Sequence, residues 1–163
     1  MLEKPGMGRK STNDSVLARA VISLDADFAE FIPDFKSLST EARKETIRAS
    51  GRAVHEKLKA KFGDVWMITL SGNGLHIHIK LREPVDCTDQ ATYKEFYRLL
   101  MERIEAALDG AIKFDRNCSN TGRVFRLPLS TNWKDPSQPI PSEPLHFNPD
   151  AYSDMAVEPL WAQ

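Results

Sequence analysis

Cysteine is scarce in this chain of 163 residues: Cys87 and Cys118 are the only two, and they form no CxxC pair. That argues against a zinc ribbon or a disulfide framework and makes a reducing, cytoplasmic setting the expectation. Long apolar runs are lacking too. No window reaches the run of about eighteen apolar residues that a membrane span needs. The N-terminal MLEKPGMGRKSTND has no apolar leader core, so neither membrane insertion nor secretion is expected. An excess of charge is absent as well. A net charge of −1 provides no global basic field for nucleic acid, although it leaves room for a local one. What is present suits one domain: 41% apolar residues supply one core, and 28% charged residues are ordinary for a soluble protein.

Residues 1–15 read as a loose polar arm, 16–134 as the folded core and 135–163, which hold six of the ten prolines, as a covering tail. AVISLDADF (Ala20–Phe28) alternates and is rich in strand formers, so it is the first predicted strand. From Ser39, an N-cap, to Phe62 the period is helical, with Ile47, Val54, Leu58 and Phe62 on one face and Gly63 as the stop. VWMITLSGNGLHIHIKL reads as a hairpin turning at Gly72-Asn73-Gly74, and REPVDCT as a loop. Asp89 to Leu108 is a second amphipathic helix, closed by Gly110. AIKFD is a fourth predicted strand, RNCSNTG a turn-forming loop and RVFRLPL an extra extended segment. The expected class is therefore α+β, in the order β-α-β-β-α-β plus one strand. That is the order of ferredoxin-like and RNA-recognition-like folds, whose helices cover one sheet face and leave the other open.

Strand side chains alternate between faces. Ile22, Leu24 and Phe28 then point to the helices, and Ser23, Asp25 and Asp27 to the open face. Leu75, Ile77 and Ile79 point inward, against His76, His78 and Lys80 outward; Ile112 and Phe114 point inward, against Lys113 and Asp115 outward. A wet sheet face is polar by default. However, Asp is a poor strand former, and carboxylates on neighbouring strands repel one another without a cation. Clustered oxygen ligands suit Mg²⁺ or Mn²⁺, and a two-metal site would carry out phosphoryl transfer.

These residues resemble the archaeo-eukaryotic primase superfamily, in particular the primase-polymerase cores of bacterial, plasmid and phage type. LDAD is similar to its Asp-x-Asp motif, SGNGLHIHIKL to its Gly-rich turn followed by Gly-Leu-His, and KFD to its third-motif Asp. RVFRLPLSTNWK is similar to its Arg-Leu-Pro-Gly-Thr-x-Asn-x-Lys run, with Leu129 where the family usually has Gly. The resemblance covers about Ile22 to Lys134. It implies that Asp25, Asp27 and Asp115 hold two divalent metals, with His76 also in the catalytic group. It implies that Ser71, His76, Arg126, Asn132 and Lys134 bind the nucleoside triphosphate. The implied activity is DNA primase or polymerase chemistry on a single-stranded template or primer-template. A helicase or other replication protein would act in trans.

Two rivals come from other classes. His76-Ile77-His78 also spells the His-hydrophobe-His motif of rolling-circle replication proteins and relaxases, which use a helical tyrosine such as Tyr93 or Tyr97 as nucleophile. That reading leaves the three aspartates unexplained. A non-catalytic RNA-recognition-like module would need exposed aromatic residues on the central strands, where this chain carries acids and histidines.

Overall fold

The structure, a computed structural model, describes residues 16–121, 125, 128–132 and 139–153. Over these the chain is α+β, with a four-stranded antiparallel sheet and two helices. Strand β1 (Ala18–Asp27) leads through two short 3₁₀ turns to helix α1 (Thr40–Phe62). The hairpin β2 (Trp66–Leu70) and β3 (Gly74–Asp86) precedes helix α2 (Gln90–Ala107). After a 3₁₀ turn at Arg116–Ser119 come β4 (Thr131–Asn132), β5 (Ile140–Pro141) and β6 (Glu143–His146). The main sheet runs β1-β3-β2-β6, and β4 and β5 pair separately. No helix among the described residues is long and apolar enough to cross a membrane.

Both helices begin where their sequences provide caps. Ser39 Oγ accepts from Ala42 N, and Asp89 accepts from Ala91 N and Thr92 N. Burial follows the predicted stripes: Ile47, Val54 and Leu58 on α1, and Tyr93, Phe96, Tyr97, Leu100 and Ile104 on α2. They pack on Ile22, Leu24, Leu75, Ile77 and Ile79, all fully buried on the helix side of the sheet. Burial of such side chains at about 25 cal/mol per Å² of apolar surface dominates the stabilisation.

Four expectations need correction. Ala111–Asp115 forms no strand. Glu105 Oε1 accepts from Phe114 N, which removes that amide from a ladder, and only Asp115 N reaches β1, donating to Asp25 O at 2.8 Å. The loop predicted at Arg82–Thr88 is mostly the continuation of β3, which pairs to Asp86 after an irregularity in β1. The covering tail supplies β5 and β6, and β6 completes the sheet beside β2. Its Pro144 hid it from a strand pattern, because proline is tolerated in sheets mainly on edge strands. Finally, the second sheet face is partly covered: Ser23, Thr69 and His76 are buried, and Phe125 lies edge-on to the rings of His76 and His78 at 5.3 and 5.9 Å.

Candidate metal and nucleotide site

Register does most of the assembly. In the β1–β3 ladder Asp25 faces His76, Ser23 faces His78 and Asp27 faces Gly74. On the other side of β3, Thr69 faces His76. The pairing requires glycine at 74, where an added Cβ would stand 1.8 Å from Ala26 O. Two strands can therefore lie close enough at this point only without a side chain there. The turn itself is one residue shorter than predicted: Ser71 N donates to Gly74 O, Gly72 takes φ +101° and Gly74 already belongs to β3.

Asp25 is the centre of the arrangement. His76 Nε2 lies 3.7 Å from its Oδ1, with the histidine side chain only 8% exposed. The backbone bond from Asp115 N brings the loop after α2 alongside, and ligand atoms of Asp25, Asp115 and Cys118 lie within 4.8 Å of one another. The loop is anchored again further on, where Arg19 donates to Thr121 O. Asp115 Oδ1 accepts from Asn117 N and Nδ2 at 2.8 and 3.0 Å, while its Oδ2 accepts from Cys118 Sγ at 3.3 Å. Asp27 stands apart from this group. Its Oδ1 caps the following 3₁₀ turn, accepting from Ala29 N at 2.9 Å.

The two histidines differ in their settings. His78 Nδ1 shares a 2.8 Å hydrogen bond with Ser23 Oγ, and burial holds its pKa down to about 4, so the ring is neutral at pH 7. His76 instead faces a carboxylate. Ser71 is buried, and its carbonyl accepts from Asn132 Nδ2 at 3.5 Å, which seats Asn132 against the glycine turn. Leu129 adopts φ +66° despite its side chain, held by Leu129 N donating to Ser142 O at 2.8 Å. Arg126 and Lys134 lie outside the described residues.

Tyr93 and Tyr97 are buried on the helix side of the sheet. Tyr97 donates its hydroxyl to Ser23 O at 2.5 Å, and burial raises its pKa far above the usual phenol value. The same cause pushes Tyr93 up to about 12.

Sequence reasoning passed over Cys118, three residues beyond Asp115. It also passed over a second group, His55, Asp64 and His146, whose ligand atoms likewise lie within 4.8 Å of one another. The Asp-x-x-Cys spacing offered a local signal for the first. Nothing in the chain order joins His146 to the second. Comparison with protein-family models, with curated proteins and with solved structures finds no match, so the functional reading rests on this geometry and on the motifs.

Proposed function

We propose that this chain is a metal-dependent nucleotidyltransferase of the primase-polymerase kind, built on a ferredoxin-like core. It would work in the cytoplasm on a single-stranded DNA template, with a helicase or other replication protein in trans. The reaction joins a nucleoside triphosphate to a 3′-hydroxyl: the hydroxyl oxygen bonds to the α-phosphorus and pyrophosphate leaves. The observation that carries the reading is the convergence of Asp25 and Asp115, from elements far apart in the chain, beside His76.

The donor set fits a divalent ion. Asp25 and Asp115 offer hard carboxylate oxygens, which suit Mg²⁺ or Mn²⁺, and Cys118 adds a softer donor that favours the latter. When bound, such ions supply Lewis-acid stabilisation of the attacking and leaving oxygens. Asp27 has one oxygen committed to Ala29, so it contributes to a second ion only through the other. His76 is positioned to donate to a phosphate oxygen, with Asp25 orienting its ring. The turn at Gly72, with Ser71 and Asn132 against it, is the backbone surface on which a triphosphate would rest.

The tyrosine-nuclease alternative loses both of its helical nucleophile candidates, because Tyr93 and Tyr97 are buried and Tyr97 is committed to the β1 backbone. The test is incubation of the chain with single-stranded template, labelled nucleotides and Mn²⁺, with and without a primer. Template-dependent incorporation, lost at least ~100-fold in Asp25→Asn and in Asp115→Asn, is expected. A covalent protein–DNA adduct, or incorporation undiminished in both variants, would overturn the proposal.

A further inference from the structure

We propose that His55, Asp64 and His146 form a second cation site, for a first-row divalent ion of the zinc type, that fastens edge strand β6 to helix α1. The three residues come from α1, from the turn after it and from the last position of β6. All are half-buried, and their ligand atoms lie within 4.8 Å of one another. The two imidazole rings stack at 3.8 Å, 29° from parallel, over the same carboxylate. His55 Nε2 is 3.4 Å and His146 Nε2 2.7 Å from Asp64 Oδ1.

The His146 contact is informative. Its Nε2 is shielded from solvent and sits close to the carboxylate, yet is not aligned for a hydrogen bond. His55 Nε2 meets Asp64 Oδ1 in hydrogen-bond geometry at 3.4 Å, so the crowding that a shared cation would relieve lies at His146. The surroundings support the set. Glu56 Oε1 lies 3.6 Å from His55 Nδ1, on the side away from Asp64, as an outer carboxylate orients a ligating histidine. Asn148 Nδ2 donates to Asp64 O at 3.0 Å and holds that residue's backbone. Lys59 Nζ, 3.7 Å from Asp64 Oδ2, competes with a cation, but its side chain is half exposed and can turn to solvent.

Two imidazoles and one carboxylate select Zn²⁺ over Mg²⁺ or Ca²⁺, and three protein ligands leave a fourth position for water. The inference does not depend on the polymerase reading, because the residues sit on other elements than Asp25 and Asp115. It implies that the C-terminal segment joins the sheet more firmly when zinc is present, adding to the pairing of β6 with β2, its packing on α1 and the Arg48–Glu143 ion pair.

The experiment titrates Zn²⁺ into the chelator-treated full chain. One ion should bind at this site, and its saturation at a hundredfold excess over Kd should raise Tm by about 5–10 °C. Affinity should fall at least ~10- to 100-fold in His55→Gln, Asp64→Asn and His146→Gln, the loss that follows removal of even a supporting partner. It should persist in the double variant Asp25→Asn/Asp115→Asn. Histidine NMR on the wild-type chain covers the case in which a variant fails to fold. All four histidines lie in the described residues, so zinc should shift the rings of His55 and His146 and leave His76 and His78 in place. No binding by the folded chain, binding unaffected by the three variants, or shifts confined to His76 and His78 would each overturn the site.

Discussion

His76 and His78 stand on one strand and meet edge-on, with ring centroids 6.1 Å apart at 80°, whereas His55 and His146 come from a helix and an edge strand and stack at 3.8 Å. In the first pair the backbone sets the separation, because a strand places alternate side chains on one face. Each ring then takes its own partner, Asp25 for His76 and Ser23 for His78. In the second pair nothing local sets the separation. Both rings converge on Asp64 because α1 packs on β2 and β6 while β6 pairs with β2. The first arrangement divides labour between two histidines, and the second pools them. A strand-borne pair is therefore suited to different roles for each ring, and a tertiary pair to one shared ligand.

The largest expected effect tests how rigid the first region is. Gly74→Ala would drive a Cβ into the Ala26 carbonyl, a backbone atom that cannot turn away. Urea unfolding should show a loss of about 3 kcal/mol or more, at the upper end for overpacking. A loss under about 1 kcal/mol would mean that the β1–β3 register is not the one that pairs Asp25 with His76.

The pH dependence of stability comes next. His78 titrates near 4 in the fold, against an ordinary 6.5. Between these values the unfolded chain takes up a proton that the folded chain does not. The contribution of neutral His78 is therefore complete above pH 6.5 and is lost as pH falls towards 4, by up to about 3 kcal/mol. Denaturant titrations between pH 7 and 4 should show this slope, and His78→Gln should flatten it. An equal slope in the variant would place the burdened proton elsewhere.

A smaller effect separates the two rings of the strand pair in function. Under the proposed activity His76→Ala should raise the apparent KM for nucleotide roughly ten- to a hundredfold, the worth of a charge-assisted hydrogen bond. His78→Ala should leave KM nearly unchanged and instead lower stability by about 1 kcal/mol through loss of the Ser23 bond. Equal damage to KM from both would mean that they act as co-ligands, as the nuclease alternative requires.

The smallest effect is expected beside the second pair. At Gly51 of α1 an added Cβ would meet Leu145 Cδ2 at 2.7 Å, the far end of a flexible side chain. The helix gains up to about 1 kcal/mol from alanine, and shifting Leu145 offsets much of it. Thermal unfolding of Gly51→Ala should differ from wild type by less than about 1 kcal/mol. A much larger loss would show that β6 cannot adjust against α1.

Much of the core was legible in the chain. The helix stripes, their caps and the inward residues of β1 and β3 follow from periods of 3.6 and 2, which depend only on local geometry. Alternation also put Asp25, His76 and His78 on one face. Leu129 departs from the local expectation, since leucine does not easily take a positive φ. It occupies the left-handed conformation that glycine would take without cost, at 81% exposure, because Leu129 N donates to Ser142 O and Ser130 O accepts from Ser142 N. Other features could not be read locally. Asp27 belongs to the same face as Asp25, yet the 3₁₀ turn after β1 claims one of its oxygens. Ala111–Asp115 alternates like a strand, yet Glu105 takes the amide that a ladder needs.

By itself, then, the amino-acid sequence determined the amphipathic elements, the polar face of β1 and β3 and the need for a glycine at the β2–β3 turn. Each of these depends on residues within a few positions of one another. Tertiary structure alone decided that Asp115 and Cys118 meet Asp25, that Phe125 covers the histidines and that a proline-containing segment closes the sheet. It also decided that His146 meets His55 over Asp64. Those contacts join residues far apart along the chain, and they exist only once packing and backbone pairing have set the distances between elements.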